Sequence, residues 1–196
     1  MILPKHVTIL VDTREKKPLP LPKTIVWCQD ATFAGGQVGR LIEIRTEPIA
    51  LYAGDYALKE SPKRCIIERK GSINEVRENL CGVDRYRATN AFRKLCETTD
   101  NPILALDFPL TQRLYKGERD VLFTRLAQLC VEYRLQILSA GGGVKARHTL
   151  SDLVVRVLLA HYFAGGSGPG KDSPPCPSTK SSTTPPPIPL LNASDP

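Results

Sequence analysis

The stretch CIIERKG, residues 65–71, places three apolar residues directly before a glutamate, an arginine, a lysine and a closing glycine. An apolar run of this kind is typical of a buried strand. Charges beside a core are costly unless they are paired or bind a ligand, so we expect this strand to end either in solvent or at the floor of a site. On a regular strand the side chains of Glu68 and Lys70 leave the same face, and Arg69 leaves the opposite face.

Further apolar runs surround this strand. They predict strands at residues 6–11, 24–28, 39–51, 64–70, 101–108 and 135–140, and helices at residues 72–80, 85–96, 118–134 and 149–163. Ser72 or Asn74 is expected to cap the first helix and Asp84 the second. Because strands first cluster and then alternate with helices, the pattern predicts an α/β fold with a mixed central sheet flanked by helices.

The composition is that of one globular domain with a basic surface. The chain has 196 residues, a formal net charge of +7 and a pI near 9.2, which favour an anionic partner such as nucleic acid. We find no apolar run long enough to span a membrane and no secretory signal, and we expect no membrane partner. The expected location is the cytoplasm, at the nucleoid, in a bacterium or phage host, and the nucleus in a eukaryote.

The six cysteines are widely scattered and form no closely spaced metal-ligand pair with one another or with a histidine. Most of them have apolar neighbours, so we expect reduced thiols in the core. Residues 164–196 differ from the rest, because Pro, Ser, Thr and Gly dominate there. We divide the chain into a globular domain, residues 1–163, and a disordered tail, whose TPPPIPLL run would suit polyproline II and a binding partner.

Four charged residues outside the expected core are candidates for chemistry. Asp12 follows the first strand in LVDTRE, and Asp55 lies in the turn AGDYAL. Either aspartate alone is explained by a turn. If their strands neighbour the strand ending in Glu68 and Lys70, three carboxylates and one amine meet at a single point. Such a set is typical of a Mg²⁺-dependent phosphodiesterase, in which carboxylates hold the metal and the lysine stabilises charge on the reacting groups.

These motifs resemble a known family. Five stretches are similar in order and spacing to the nuclease domain of the XPF-type structure-specific endonucleases. They are VDTRE, GDYAL and IERK, followed by DRYRATNAFRKL and NPILALDF. That family is a branch of the PD-(D/E)XK restriction-endonuclease-like fold and has a G-D-x(n)-E-R-K signature. The resemblance covers residues 6–160, and it implies hydrolysis of DNA with Mg²⁺ or Mn²⁺, at branched or flapped duplexes, in repair or recombination.

The resemblance also implies roles for individual residues. It implies that the metal ligands are Asp12, Asp55 and Glu68. The same three residues and Lys70 would be catalytic. Arg14 and Arg69 match basic positions near the site, although a structural ion pair is an alternative for Arg69. The family has an aspartate four residues after the signature lysine, where this chain has Asn74, and we leave open whether Glu75 replaces it.

Further basic residues are candidates for DNA binding. On a helix Arg85 shares the apolar arc with Phe92, so we expect it to point inward, toward the site, as the family's arginine at this position does. Arg87 and Lys94 share another face. GGGVKARH, residues 141–148, is expected to be a loop whose Lys145 and Arg147 bind phosphate or merely connect two elements.

Two other functions share this fold and remain open. One is a catalytically inactive DNA-binding or scaffold subunit, and the other is a sequence-specific restriction enzyme. The helix-hairpin-helix module that often follows the nuclease domain in this family is not seen in the sequence, so duplex binding would come from this domain or from a partner subunit. Residues 150–163 are apolar nearly all round, which suggests that they pack against a second copy in a homodimer.

Overall fold

A computed structural model describes residues 3–28, 39–110 and 116–165. These residues form one mixed sheet and four helices. The strands are β1 (His6–Asp12), β2 (Thr24–Trp27), β3 (Arg40–Ile49), β4 (Tyr56–Leu58), β5 (Ile66–Lys70), β6 (Pro102–Leu106) and β7 (Gln136–Ser139). The helices are α1 (Ile73–Cys81), α2 (Arg85–Thr98), α3 (Lys116–Glu132) and α4 (Val144–Gly165). The predicted α/β architecture is confirmed.

The sheet has the strand order β2-β3-β1-β4-β5-β6-β7. β4 is antiparallel to both β1 and β5, so these two strands run in the same direction. β6 and β7 continue parallel to β5. As a result the ends of β1 and β5 and the start of β4 lie at one edge of the sheet, where Asp12, Lys70 and Asp55 stand.

Helices cover both faces of the sheet. α4 packs on one face through Leu150, Val154 and Leu158, against strand residues that include Ile67. α1, α2 and α3 pack on the other face, where Ile66 points. The opposite directions of Ile66 and Ile67 follow from the two-residue repeat of a strand. Burying each such side chain stabilises the fold by about 1.5–3 kcal/mol, so both faces contribute to the core.

α4 differs from its prediction in extent and in surroundings. It begins at Val144, five residues before the predicted start, so Lys145 and Arg147 lie on the helix and not in a loop. Gly141 and Gly143 have positive φ and end the preceding turn, which confines the irregular segment to residues before Val144. Most apolar residues of α4 are buried against its own sheet. The homodimer stays a prediction, but the uncovered apolar surface that suggested it is largely covered within the chain.

The predicted helix caps are confirmed in part. The Ser72 hydroxyl accepts a hydrogen bond from the Glu75 N–H, so Ser72, and not Asn74, caps α1. Asp84 occupies the N-cap position of α2, but its side chain makes no capping hydrogen bond. Asn74 lies inside the first turn of α1 and is exposed.

The expectation of reduced core cysteines is only partly right. Cys65 is a buried free thiol, Cys28 and Cys81 are exposed, and Cys130 is half-buried. Cys96, on α2, is buried in the core. Apolar neighbours in the sequence do not show which side of a helix end or strand end is buried in the folded protein.

Two further predictions concerned a membrane span and the C-terminal tail. Among the described residues no helix is both long and apolar enough to cross a membrane. Of the predicted tail, residues 164 and 165 continue α4, and residues 166–196, with the proline-rich run, lie outside the described part of the chain.

The turn before β4 depends on a glycine. Gly54 has φ of +71°, in the left-handed region that residues with a Cβ rarely adopt. A Cβ added there would lie 2.4 Å from Ile66 Cγ2 and 3.2 Å from the Ile67 carbonyl oxygen. Gly54 therefore allows the turn to pack directly on β5, and this contact places Asp55 at the end of that strand.

We predict that Gly54→Ala destabilises the protein by about 2–4 kcal/mol, because strain at φ and the clash with Ile66 add together. The measurement is the midpoint of thermal unfolding. Gly117→Ala is the matched control, since it lies in α3 with no atom within 4 Å of an added Cβ. It should leave the midpoint unchanged or slightly raised. Equal midpoints for the parent and Gly54→Ala would contradict the packing argument.

Candidate active site

A cleft of about 680 Å³ opens between one edge of the sheet and helices α1 and α2. The sheet side contributes the ends of β1 and β5 and the turn before β4. The helix side contributes one face of each helix. The charged residues that line the cleft are Asp12, Arg14, Asp55, Glu68, Lys70, Glu75, Asp84, Arg87 and Lys94. The four predicted catalytic residues are therefore in one cleft, as the strand order requires.

Glu68 and Lys70 form the floor of the cleft. Lys70 Nζ lies 2.9 Å from Glu68 Oε1, and the two side chains leave the same face of β5, as predicted. Lys70 Nζ also lies 3.4 Å from Glu75 Oε1 on α1. Glu75 Oε2 accepts a hydrogen bond of 2.8 Å from the Gly71 N–H, which fixes its direction. Glu75, and not its neighbour Asn74, is thus the residue of α1 that contacts Lys70.

Asp55 is held against β5 by the main chain. Its N–H donates to the Ile67 carbonyl oxygen at 2.8 Å, and its Oδ2 accepts from the Arg69 N–H at 2.7 Å. Burial and the neighbouring Glu68 carboxylate raise the pKa of Asp55 from 3.8 to about 7, although the Arg69 hydrogen bond opposes the shift. The surroundings of Asp55 therefore disfavour its ionised form.

Lys70 is a stably charged ammonium. Burial acts to lower its pKa, but the Glu68, Glu75 and Asp55 carboxylates outweigh burial and the net effect raises the pKa. A protonated amine cannot accept a proton, so Lys70 is suited to stabilise negative charge and not to act as a general base.

Asp12 lies at the same sheet edge and is engaged in two contacts. Its Oδ2 accepts from Arg14 Nε at 2.7 Å, and its Oδ1 accepts from the Leu51 N–H at 3.2 Å. Only 4% of Asp12 is exposed, whereas two thirds of the Arg14 side chain is exposed to the cleft. The pair gives the cleft one cation that is oriented by a buried carboxylate.

The predicted metal ligands differ in how well they suit a divalent cation. The described residues contain no cluster of three or more His, Cys, Asp or Glu side chains arranged to hold a metal ion. Asp55 and Glu68 are close enough to raise the pKa of Asp55, and carboxylate oxygens are the donors that Mg²⁺ and Mn²⁺ prefer. These two fit a metal, while Asp12 is turned toward Arg14 and Leu51.

Arg69 does not face the cleft. Its guanidinium is buried on the other side of β5, where Nη2 lies 2.7 Å from Asp107 Oδ2 and Nη1 lies 3.2 Å from Glu15 Oε1. Arg147 Nε lies 3.5 Å from the same Asp107 oxygen, and its Nη2 donates to the Lys17 carbonyl oxygen. The contacts of Arg69 are those of the structural ion pair, not of a DNA contact, and Arg147 extends this network to α4.

The remaining basic candidates fall in different places. Arg87 and Lys94 line the cleft, as their shared face on α2 predicts. The inward direction expected for Arg85 is wrong, because Arg85 is exposed and does not line the cleft. Lys145 is exposed on the first turn of α4, outside the cleft lining. The structure therefore brings two of the five helix and loop candidates to the site.

Several residues at the site were not singled out from the sequence. Asp107, which pairs with Arg69 behind the cleft, comes directly after the buried strand β6, whereas Asp12 is the last residue of β1, and this similar position was a usable signal. Tyr52 and Tyr86 line the cleft and are highly exposed. No local pattern distinguishes them from ordinary surface tyrosines, because the cleft joins a turn to a helix that is distant in sequence.

Solved structures with the same architecture are known. The chain is similar to XPF from Aeropyrum pernix, with a TM-score of 0.53 and 19% identity over 86% of this chain and 67% of that one. It is also similar to XPF from Aeropyrum pernix in complex with DNA, with a TM-score of 0.53 and 19% identity over 81% and 66% of the two chains. The chain thus spans about two thirds of these structures. No protein-family model and no curated protein sequence matches it.

This likeness concerns the fold. At 19% identity it shows that the described residues adopt an XPF-nuclease-like α/β architecture, which confirms the fold that the sequence motifs predicted. A likeness of fold does not identify metal ligands or an activity. These, and the G-D-x(n)-E-R-K signature, stay predictions.

The raised pKa of Asp55 predicts a pH-dependent effect of Asp55→Asn on stability. The unfolded carboxyl loses its proton near pH 3.8 and the folded one near pH 7, so the folded state binds more protons between these values. The parent therefore loses stability as pH rises through this window. In EDTA at pH 8 we expect Asp55→Asn to be more stable than the parent by about 2–4 kcal/mol, or roughly 4–16 °C in melting temperature.

The same measurement at pH 4 should show little difference, because the Asp55 carboxyl of the folded parent is then protonated and carries no charge. Asp100→Asn is the control, since Asp100 is exposed and outside the cleft lining. It should show no such pH dependence. Addition of Mg²⁺ or Mn²⁺ at pH 8 should stabilise the parent and not Asp55→Asn. An Asp55→Asn variant less stable than the parent at pH 8 in EDTA would contradict the electrostatic argument.

Proposed function

We propose that this protein is a metal-dependent endonuclease that hydrolyses phosphodiester bonds of DNA at branched or flapped duplexes, in repair or recombination. The observation that supports it most is the convergence of Asp55, Glu68 and Lys70 on the floor of one cleft. In a fold shared with XPF, this set combines two neighbouring carboxyl groups, one of which has a raised pKa, with a fixed ammonium. That combination suits a divalent cation and a phosphate.

Each residue has a distinct part in the proposed reaction. Asp55 and Glu68 would hold Mg²⁺ or Mn²⁺, and Asp12 would join them or orient Arg14. The bound metal would polarise the phosphate and lower the pKa of an attacking water. Lys70 stabilises the negative charge that develops on the phosphate oxygens as the water attacks. Glu75 keeps the Lys70 ammonium in position from the side of α1.

The helix side of the cleft is suited to bind the DNA backbone. Arg87 and Lys94 on α2, with Arg14 opposite, place cations around the carboxylate floor. Phosphate contacts from such residues give affinity without reading the sequence of bases. This arrangement supports recognition of DNA structure more than recognition of a short sequence.

Cleavage by single variants tests the proposal. Asp55→Asn keeps the side-chain volume and removes one metal ligand, and Lys70→Ala removes the ammonium. We expect each to lower the cleavage rate of a flap duplex with Mg²⁺ by about two to three orders of magnitude, since such contacts contribute roughly 3–4 kcal/mol in the transition state. Lys63→Ala is the matched control for lysine loss, because Lys63 is exposed and outside the cleft.

The affinity for the same duplex should separate the two variants. Without metal, Asp55 repels phosphate, so Asp55→Asn should bind as well as the parent or better, and Lys70→Ala should bind slightly worse. Cleavage by Asp55→Asn at the parental rate would overturn the placing of the metal. Tight binding with no cleavage by the parent, in either Mg²⁺ or Mn²⁺, would favour the inactive scaffold subunit instead.

Salt provides a second test of the DNA contacts. If the cations of this domain neutralise several phosphates, the affinity for duplex DNA should fall by orders of magnitude between about 50 and 200 mM salt. The Arg87→Ala and Lys94→Ala variants should each reduce the slope of log affinity against log salt by about one. Arg85→Ala, on the same helix but outside the cleft, serves as the control and should change the slope less. A flat salt dependence of the parent would contradict phosphate binding.

A further inference from the structure

The rim of the cleft carries two exposed aromatic rings. Tyr52 is 71% exposed and Tyr86 is 80% exposed, and both line the cleft. Among the other tyrosines that the structure describes, Tyr56 and Tyr133 are buried and Tyr162 is half-buried. The exposed tyrosines of the described residues are therefore both found at the cleft that holds the candidate catalytic groups.

Charges are distributed unevenly around these rings. The floor of the cleft has the carboxylates of Asp55 and Glu68, whereas the α2 side has Arg87 and Lys94 against the single carboxylate of Asp84. Lys94 Nζ lies 5.6 Å from the centroid of the Tyr52 ring, within the range of a cation–π interaction. A cation and an aromatic face are thus held together at the rim.

This pairing matches the chemistry of an unpaired nucleotide. A base offers a flat π-face that stacks on an aromatic ring, and the phosphate beside it pairs with a cation. In a duplex the base faces are covered by their neighbours, so only an unstacked nucleotide can use the rings. Polar residues, including Asn79 and Asn90, line the same cleft, so the cleft does not offer the continuous apolar patch that a protein partner would cover.

We propose that Tyr52 and Tyr86 form a stacking site for an unpaired nucleotide of a single-stranded nucleic acid, and that Arg87 and Lys94 bind its phosphates. Tyr52 precedes Asp55 by three residues and lines the same cleft, so a nucleotide stacked on it would enter the cleft that holds the carboxylate floor. The proposal rests on the proposed function in one respect, namely that the cleft binds nucleic acid. It adds that unpaired bases beside the cut site are selected by stacking.

The test measures binding in EDTA, so that no cleavage interferes. The probes are labelled oligothymidylate of about 12 nucleotides, a strand of equal length with abasic sites, and a blunt duplex. Tyr52→Ala and Tyr86→Ala should each weaken binding of oligothymidylate by about 5- to 100-fold, the loss of one stacked base. Binding of the duplex and of the abasic strand should change by less than about threefold. Tyr52→Phe and Tyr86→Phe should retain the parental affinity.

Two controls address structure and position. Phe123→Ala removes an aromatic side chain on α3 that is 38% exposed and outside the cleft lining, and it should leave all affinities unchanged. Because Tyr52 and Tyr86 are exposed, their alanine variants should melt at the parental temperature. In addition, oligothymidylate should quench the added indole fluorescence of Tyr86→Trp and not that of Phe123→Trp.

Each outcome supports or overturns the stacking site. Equal weakening for oligothymidylate and the abasic strand, or unchanged affinity in both alanine variants, would overturn it. If the variants behave as expected while the parent cleaves no DNA with Mg²⁺ or Mn²⁺, the stacking site stands and the endonuclease function fails. If the parent binds neither single strands nor duplexes, both proposals fail. If it cleaves flaps without a stacking signature, only this further inference fails.

Discussion

The hydrogen bond from the Arg69 N–H to the Asp55 carboxylate joins the two parts of the site. Asp55 belongs to the turn before β4, and Arg69 lies between the two charged residues of β5 that face the cleft. The same residue anchors β5 on its other side, because its guanidinium is buried between Asp107 and Glu15. If Arg69 moved, Asp55, Glu68 and Lys70 would all lose their positions relative to one another. Residue 69 therefore holds Asp55 through its main chain, while its buried guanidinium anchors β5 from the side away from the cleft.

This arrangement explains how carboxylates and a lysine can lie side by side in a half-buried cleft. Lys70 is balanced by Glu68 and Glu75, and Arg14 is balanced by Asp12. Burial and the neighbouring Glu68 carboxylate raise the pKa of Asp55, so its carboxyl is the one whose charge is least favoured here. Ion pairs of this kind contribute little net stability once desolvation is counted. Their value lies in holding the charged groups in one geometry.

Much of this could be predicted from the sequence, because it depends on short repeats. The two-residue period of a strand placed Glu68 and Lys70 together and Arg69 apart, and apolar runs located the strands around them. Periodicity failed at Arg85, the first residue of α2, since it tells which residues share a face and not whether anything covers that face at a helix end. The contacts of Arg147 with Asp107 and of Glu15 with Arg69 join distant segments, which no local pattern encodes.

The cleft is assembled from chain segments that are far apart in sequence. Asp12 accepts a hydrogen bond from Leu51, Asp55 packs on β5, and the far wall comes from α2. Such non-local contacts form late in folding, because loop closure must be completed before they stabilise the chain. None of the carboxylates is near its neighbours until β1, β4 and β5 have paired. A partly folded or proteolysed chain therefore has no concentrated negative site, and any activity would belong to the fully assembled sheet alone.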